Sequence, residues 1–128
     1  MIVNLLDVER GEQLDRDGFR FFGRPVGRSL GAERLGCGLY DLPPGEQLWP
    51  YHWHDGRELR PGDVVAFPEG EEGAHTFLNH SGEDARVAIF SARNTGSSAY
   101  PDSGKVSAVG LLFRTADAVD YWEGEGRG

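Results

Sequence analysis

Short segments in which apolar residues recur at every second position run through most of the chain. Alternation with period two is typical of β-strands that bury one face. Nineteen glycines and seven prolines separate these segments and supply turns such as "PPGEQ", "PGD" and "HSGED". The pattern predicts an all-β sandwich or small barrel. The predicted strands are "RLGCGLYDL", "LWPYHWH", "VVAFP", "AHTFLN" and "ARVAIFSA".

A helical pattern occurs near the C-terminus, in "TADAVDYW". Thr115 is a helix-capping residue type, and Ala118, Val119 and Trp122 fall on one helical face. The chain is therefore predicted to be all-β with a short C-terminal helical segment. Within the strands, "VVAF" and "RVAIF" are apolar at consecutive positions, so we expect both faces of these two segments to be covered.

Composition and charge exclude several classes of protein. With 128 residues, 38% of them hydrophobic, the chain fits a single domain spanning residues 1–128. The net charge of −8 disfavours binding to nucleic acid, and no apolar window is long enough to span a membrane. We expect a cytoplasmic protein, because the N-terminus has no signal-peptide pattern and the single cysteine, Cys37, cannot form an internal disulfide.

Histidines at positions 52, 54 and 75 are the strongest candidates for chemistry. In an extended strand His52 and His54 point to the same side, with Cα atoms about 7 Å apart. His75, Phe77 and Asn79 share a face by the same alternation, so a third imidazole can meet the first two if the strands are neighbours. Three such nitrogen donors suit Zn, Fe, Mn, Ni or Cu. The alternative is three partly buried histidines that are hydrogen-bonded and bind no metal.

The fourth histidine, His80, is not expected to be a ligand. It points opposite to His75 and lies in the polar turn "NHSGED". The aromatic residues at positions 49, 51 and 53 alternate with the histidine pair and are predicted to pack in the core or in a subunit interface. Arg93, Lys105 and Arg114 are candidate cations for an anionic substrate, although each is a solvated charge in the simpler interpretation.

The residues around these histidines resemble the two signatures of the cupin family. The first signature begins at Gly45 and leads to the pair His52 and His54. The second signature is G-x5-P-x-G followed by His and then Asn, with a loop slightly longer here than in its commonest form. It is matched at Gly62, Pro68, Gly70, His75 and Asn79.

The resemblance covers nearly the whole chain and implies a cupin jelly-roll barrel, also called a double-stranded β-helix. It further implies a bound divalent metal, a small-molecule ligand and a homodimer. We expect an enzyme of the dioxygenase, isomerase or hydrolase type, in which the metal polarises a small oxygenated substrate. The alternative is a non-catalytic module that holds a sugar or an organic acid. The sequence assigns no catalytic residue, because one fold supports many reactions.

Part of the family pattern is missing after the histidine pair. Proteins of the family carry a further glutamate ligand and a hairpin between His54 and the Pro-Gly-Asp turn, a segment of roughly twenty residues without a counterpart here. Glu58 has a tolerated spacing for the fourth ligand but fits better as the strand end before the second signature.

Three explanations of this missing segment are open. The hairpin is truly lost and a second subunit covers the exposed edges, or a deletion abolishes the site, or the molecule contains residues that this sequence omits. We favour the third explanation. Loss of central strands should remove much of the marginal stability of a small barrel.

Overall fold

The structure is a computed structural model that describes residues 2–48, 58–73, 75–92, 98–108, 110–120 and 123–124. The chain divides into two compact units, Met1–Asn94 and Thr95–Gly128. Among the described residues, no helix is long and apolar enough to cross a bilayer. The single domain expected over residues 1–128 remains a prediction.

Antiparallel strands make up most of the described structure, and helix is confined to single turns. This confirms the predicted all-β class. In chain order the elements are β1 (Glu12–Arg16), β2 (Phe19–Arg24), α1 (Val26–Ser29), β3 (Leu35–Leu42), β4 (Gln47–Leu48), a 3₁₀ turn (Glu71–Gly73), β5 (Phe77–Leu78), β6 (Ala85–Ala92), β7 (Ser98–Tyr100), a second 3₁₀ turn (Pro101–Ser103), β8 (Lys105–Ala108), β9 (Leu111–Arg114) and a third 3₁₀ turn (Thr115–Asp117).

The first unit contains two sheets, one of four strands in the order β1-β2-β3-β6 and one formed by β4 and β5. Its core is a cluster of Phe21, Leu42 and Leu48, with Tyr40, Phe77 and Ile89 among the side chains packed against it. We call the face of the four-stranded sheet that carries Phe21, Tyr40 and Leu42 its inner face. Since Leu48 and Phe77 lie on β4 and β5, the two sheets enclose this apolar interior between them.

The hairpin of β1 and β2 was not predicted. Its strands are joined by Asp17 and Gly18, which have φ angles of 53° and 88°, and Arg16 pairs directly with Phe19. Two residues with positive φ between paired strands form the turn type that Asp-Gly favours. The Asp-Gly pair was therefore the sequence signal for this hairpin, although its strands lack a strict apolar alternation.

Strands β3 and β6 form the longest ladder, from Leu35 opposite Ala92 to Leu42 opposite Ala85. Both strands were predicted. The expectation that both faces of "RVAIF" are covered was wrong, because Phe90 on the outer face is 60% exposed. No described element is layered over that end of β6, which lies at the edge of the sheet.

The segment "VVAFP" was predicted as a strand with both faces covered, and both expectations were wrong. Val64 is 96% exposed and Phe67 is 40% exposed. Among the described residues, no strand pairs with this segment. The prediction of a turn at Pro-Gly-Asp, just before this segment, was correct. Gly62 has a φ of 93°, and the Asp63 amide donates to the Arg60 carbonyl oxygen at 3.0 Å.

The second unit is a three-stranded antiparallel sheet in the order β7-β8-β9. The helical segment predicted after it is a single 3₁₀ turn, Thr115–Asp117, and Ala118 is already extended with a ψ of 136°. The Thr115 hydroxyl donates to the Gly104 carbonyl oxygen at 3.0 Å and so does not cap a helix. Using the hydroxyl to tie β9 to the loop before β8 explains why the helical pattern ends there.

Candidate functional site

His75 lies just before β5, and its orientation is fixed by one hydrogen bond. Its Nδ1 atom is 2.8 Å from the Gly73 carbonyl oxygen in the preceding 3₁₀ turn. A carbonyl oxygen only accepts, so Nδ1 carries the proton and donates it. In the neutral imidazole the other ring nitrogen, Nε2, then carries the lone pair. A histidine that donates from one nitrogen to a backbone carbonyl is arranged as metal-ligating histidines usually are.

Two aromatic rings hold the half-buried imidazole in place. Phe67 stacks on His75 with ring centroids 3.6 Å apart and an angle of 13° between the planes. Phe77 meets the imidazole edge-on at 5.8 Å and also packs against the core cluster. The structure thus puts both phenylalanines against the predicted ligand. They shield this side of the imidazole from water and limit its rotation.

The strand carrying His75 is paired with the strand that leads to the other two predicted ligands. Leu48, the last residue of β4, pairs with Phe77, and the Thr76 hydroxyl donates to the Leu48 carbonyl oxygen at 2.6 Å. His52 and His54 follow Leu48 in the chain but lie outside the described residues, as do the aromatic residues at positions 49, 51 and 53 and Arg93. The three-histidine site is therefore a prediction of which His75 is the described part.

The remaining candidate ligands lie on the surface. Glu58 and His80 are both exposed. Within the described ranges, which omit His52 and His54, no three His, Cys, Asp or Glu side chains cluster closely enough to hold a metal ion. The fit of a metal to this protein accordingly depends on His75, whose Nδ1 hydrogen bond to the Gly73 carbonyl oxygen suits a ligand.

A second feature is an open pocket of about 190 Å³ on the inner face of the four-stranded sheet, where Pro25, Arg28 and Ser91 are exposed. Its floor is formed where Gly36 pairs with Ser91 and Gly38 pairs with Ile89. The two glycines present no side chain on this face, and at Gly38 this leaves room for the Tyr40 ring. The other lining residues are Pro25, Arg28, Cys37 and Tyr40.

The ring of Tyr40 borders this pocket in a defined position. It meets Phe21 edge-on with centroids 6.1 Å apart, and a methyl group at Gly38 would lie 2.6 Å from the Tyr40 hydroxyl oxygen. The ring therefore lies over Gly38. Burial raises the pKa of the Tyr40 hydroxyl above its ordinary value, with a smaller contribution from the negative charge of Cys37, so the hydroxyl stays protonated at neutral pH.

Arg28, Tyr40 and Ser91 were not identified as site residues from the sequence. The available signal was "LGCGLY", where glycine occupies alternate positions of a predicted strand and so leaves one face without side chains. Cys37 is partly buried, and burial raises the pKa of its thiol. The thiol is consequently a poor nucleophile at neutral pH.

Comparison with solved structures identifies the fold. The chain is similar to a proposed sugar phosphate isomerase from Acidithiobacillus ferrooxidans, with a TM-score of 0.74 and 22% identity over 90% of this chain and 91% of that one. It is also similar to a sugar phosphate isomerase of the cupin superfamily from Silicibacter pomeroyi, with a TM-score of 0.70 and 20% identity over 92% and 95% of the two chains. The chain has the cupin jelly-roll fold.

The cupin fold predicted from the two signatures is thereby confirmed. At 20–22% identity the likeness establishes the fold and does not establish the reaction. No protein-family model matches the chain, and no curated protein matches it either. The missing segment after His54, the metal and the homodimer remain predictions.

Proposed function

We propose that this cupin is a metal-dependent enzyme that isomerises small polyhydroxylated substrates, with His52, His54 and His75 as the metal ligands. The observation that carries the proposal is the state of His75. Its Nδ1 is hydrogen-bonded to the Gly73 carbonyl oxygen, and its ring is stacked on Phe67. The neutral ring can therefore offer the Nε2 lone pair to a metal in a defined orientation.

Chain length supports the convergence of the three imidazoles. His52 is the fourth residue after Leu48, and four residue steps of extended chain span at most about 14 Å. Leu48 is itself paired with Phe77, two residues from His75. This length allows His52 to approach His75, as the proposed site requires.

A divalent metal at this position would act as a Lewis acid on a carbonyl or hydroxyl oxygen of the substrate. The protein residues prepare the site for it. The Gly73 carbonyl orients His75, and the rings of Phe67 and Phe77 exclude water from one side of the imidazole. A drier site strengthens the electrostatic interactions made within it.

Isomerisation is favoured over oxygenation and hydrolysis by the names of the two similar structures, both of which are described as sugar phosphate isomerases. The pocket beside Tyr40 also offers hydroxyl groups, which suit a substrate rich in hydroxyls.

An isomerisation assay tests this function directly. Chelator-treated protein is reloaded with Zn, Mn, Fe, Ni or Cu and incubated with a panel of aldose phosphates, and ketose formation is followed by NMR. We expect turnover only after metal loading and a loss of at least about a hundredfold in His75→Ala. The matched control is His80→Ala, which should keep the rate.

Tight binding of an aldose phosphate by the metal-loaded protein, without ketose formation for any metal, would contradict the enzyme proposal. It would favour the non-catalytic binding module. Equal turnover in the chelator-treated protein would contradict the role of the metal.

A further inference from the structure

The pocket beside Tyr40 and His75 lie at a similar distance from one end of the two sheets. The Asn79 side-chain amide donates to the Leu42 carbonyl oxygen at 2.8 Å, so Leu42 on β3 and Asn79 after β5 mark a common end of the two sheets. Gly38 is four residues back from Leu42, and His75 is four residues back from Asn79. At about 3.3 Å per residue of extended chain, both lie about 13 Å from that end.

The pocket and His75 also belong to facing walls of one interior. Tyr40 and Ile89 line the pocket and pack on the core cluster, and Phe77 packs on that cluster from the opposite sheet while touching His75. Packed sheets lie about 10 Å apart. A molecule with a backbone of a few carbon atoms spans such a distance.

The pocket is too small to be a complete ligand site. Its volume of about 190 Å³ is below the range of roughly 300 to 1,000 Å³ that is typical of small-molecule sites. It therefore fits one end of a substrate, while the rest of the molecule extends toward the opposite wall.

The chemistry of the lining selects an anionic end. The described lining residues include one cation, Arg28, and no carboxylate, in a chain whose net charge is −8. Within the part of the chain that the structure describes, Arg28 forms no ion pair and the Ser91 hydroxyl forms no hydrogen bond. A guanidinium binds phosphate or carboxylate oxygens through paired N–H groups, and a hydroxyl adds a further donor.

We propose that this pocket binds the anionic end of a small polyhydroxylated substrate, with Arg28 as the anion-binding residue and Ser91 and Tyr40 as hydroxyl donors. The proposal rests on the proposed function, because it places the opposite end of the same substrate at the metal site. Gly36 and Gly38 form the floor of the pocket, and the Tyr40 ring, which lies over Gly38, forms one wall.

Binding of three related probes tests the assignment. Ribose 5-phosphate, ribonate and ribose share a five-carbon polyhydroxylated chain and differ in carrying a phosphate, a carboxylate or no charge. Isothermal titration of the full chain, both metal-loaded and chelator-treated, measures each affinity. The variants are Arg28→Gln and, as a matched control far from the pocket, Arg16→Gln on the exposed strand β1.

We expect at least one of the two anions to bind more tightly than ribose. Arg28→Gln should lower the affinity for that anion by about tenfold to a hundredfold, the range for loss of a hydrogen bond to a charged group. The affinity for ribose should not change. Arg16→Gln should change neither affinity. The preferred anion identifies whether the pocket selects a phosphate or a carboxylate.

Equal affinity for the anions and ribose, or an unchanged anion affinity in Arg28→Gln, would overturn the inference. Metal-dependent isomerisation with no effect of Arg28→Gln on anion affinity would overturn it while the proposed function stands. Arg28-dependent anion binding by a protein that holds no metal would overturn the proposed function and leave the anion pocket standing.

Discussion

Asn79 joins three segments of the first unit through its buried side chain. Its amide donates to the carbonyl oxygens of Leu42 at 2.8 Å and Glu83 at 2.7 Å, and its side-chain oxygen accepts from the Ser81 amide at 3.0 Å. In the cupin signature this asparagine therefore organises the end of the sheets and is not placed to bind a ligand. Asn79 is only 5% exposed, and its hydrogen bond to Leu42 is buried.

We expect Asn79→Ala to lower the free energy of unfolding by about 2 to 4 kcal/mol, because buried hydrogen-bonding groups lose their partners. Urea denaturation measures this. The control is Asn4→Ala, which loses only hydrogen bonds of an exposed turn and should cost less than about 1 kcal/mol. Equal losses in the two variants would show that Asn79 has no special role.

Ionisation of Tyr40 should lower the free energy of unfolding at alkaline pH. Because burial raises the pKa of its hydroxyl, the folded protein holds this proton to higher pH than the unfolded chain does. Its contribution is complete below the unfolded pKa of about 10 and is lost as pH rises through the folded value. Urea denaturation at several pH values above about 9 should show a shallower decline in Tyr40→Phe than in the wild type. Parallel declines would contradict this account.

At the scale of elements, the segment before β1 is held to the outer face of the sheet by Arg86 on β6. One guanidinium nitrogen donates to the carbonyl oxygens of Leu5, Leu6 and Val8 at 3.0 to 3.3 Å. The other two donate to the buried Asp41 carboxylate on the neighbouring strand at 2.6 and 3.0 Å. These bonds to Asp41 raise the pKa of Arg86, which therefore stays charged throughout the accessible pH range.

Arg86→Met should release this segment and leave Asp41 buried without its partner. We expect a loss of about 3 kcal/mol, the lower end of the range for breaking a buried ion pair, since Arg86 is itself partly exposed. Hydrogen exchange at residues 5–8 should also become faster. The control is Arg24→Met, which loses two exposed bonds to the Glu9 and Arg10 carbonyl oxygens and should cost about 1 kcal/mol. An unchanged exchange rate at residues 5–8 in Arg86→Met would show that Arg86 does not hold this segment to the sheet.

The sequence pattern predicted some of these elements correctly and failed for others. Period-two alternation located β3 and β6 correctly, although only β6 alternates in exposure, since β3 buries Leu39 and Leu42 on opposite faces. It failed for "VVAFP", since an apolar segment becomes a strand only if a neighbour pairs with it, and pairing is not visible in local sequence. The histidine spacing and the signatures located His75. The pocket escaped prediction because it arises from the register of β3 with β6, which brings Gly36 opposite Ser91.

For the whole molecule, the intact mass decides the question of the missing segment. The described residues do not include the stretch after His54, so chain continuity there stays untested. If the molecule contains the segment, its mass should exceed the 14.1 kDa of these 128 residues by about 2 kDa. Mass spectrometry of the denatured protein measures this difference. A mass of 14.1 kDa would establish a real deletion and favour a site that is degraded or completed by a partner subunit.

We also expect the homodimer implied by the family resemblance. Apolar side chains remain exposed on both faces of β9, where Leu112 is 60% exposed and Phe113 is 46% exposed. A second copy that covers such surface would bury apolar area at no cost in charge repulsion at these positions. Light scattering at high micromolar concentration should report twice the chain mass. A monomer under these conditions would contradict the prediction.

The account as a whole depends on a metal held by three histidines, and elemental analysis tests that claim most directly. Protein purified without a histidine tag should contain about one transition metal ion per chain. His80→Ala should retain it, and His52→Ala and His75→Ala should lose it while circular dichroism shows that both remain folded. An unchanged metal content in folded His75→Ala would contradict the three-histidine site and the function proposed from it.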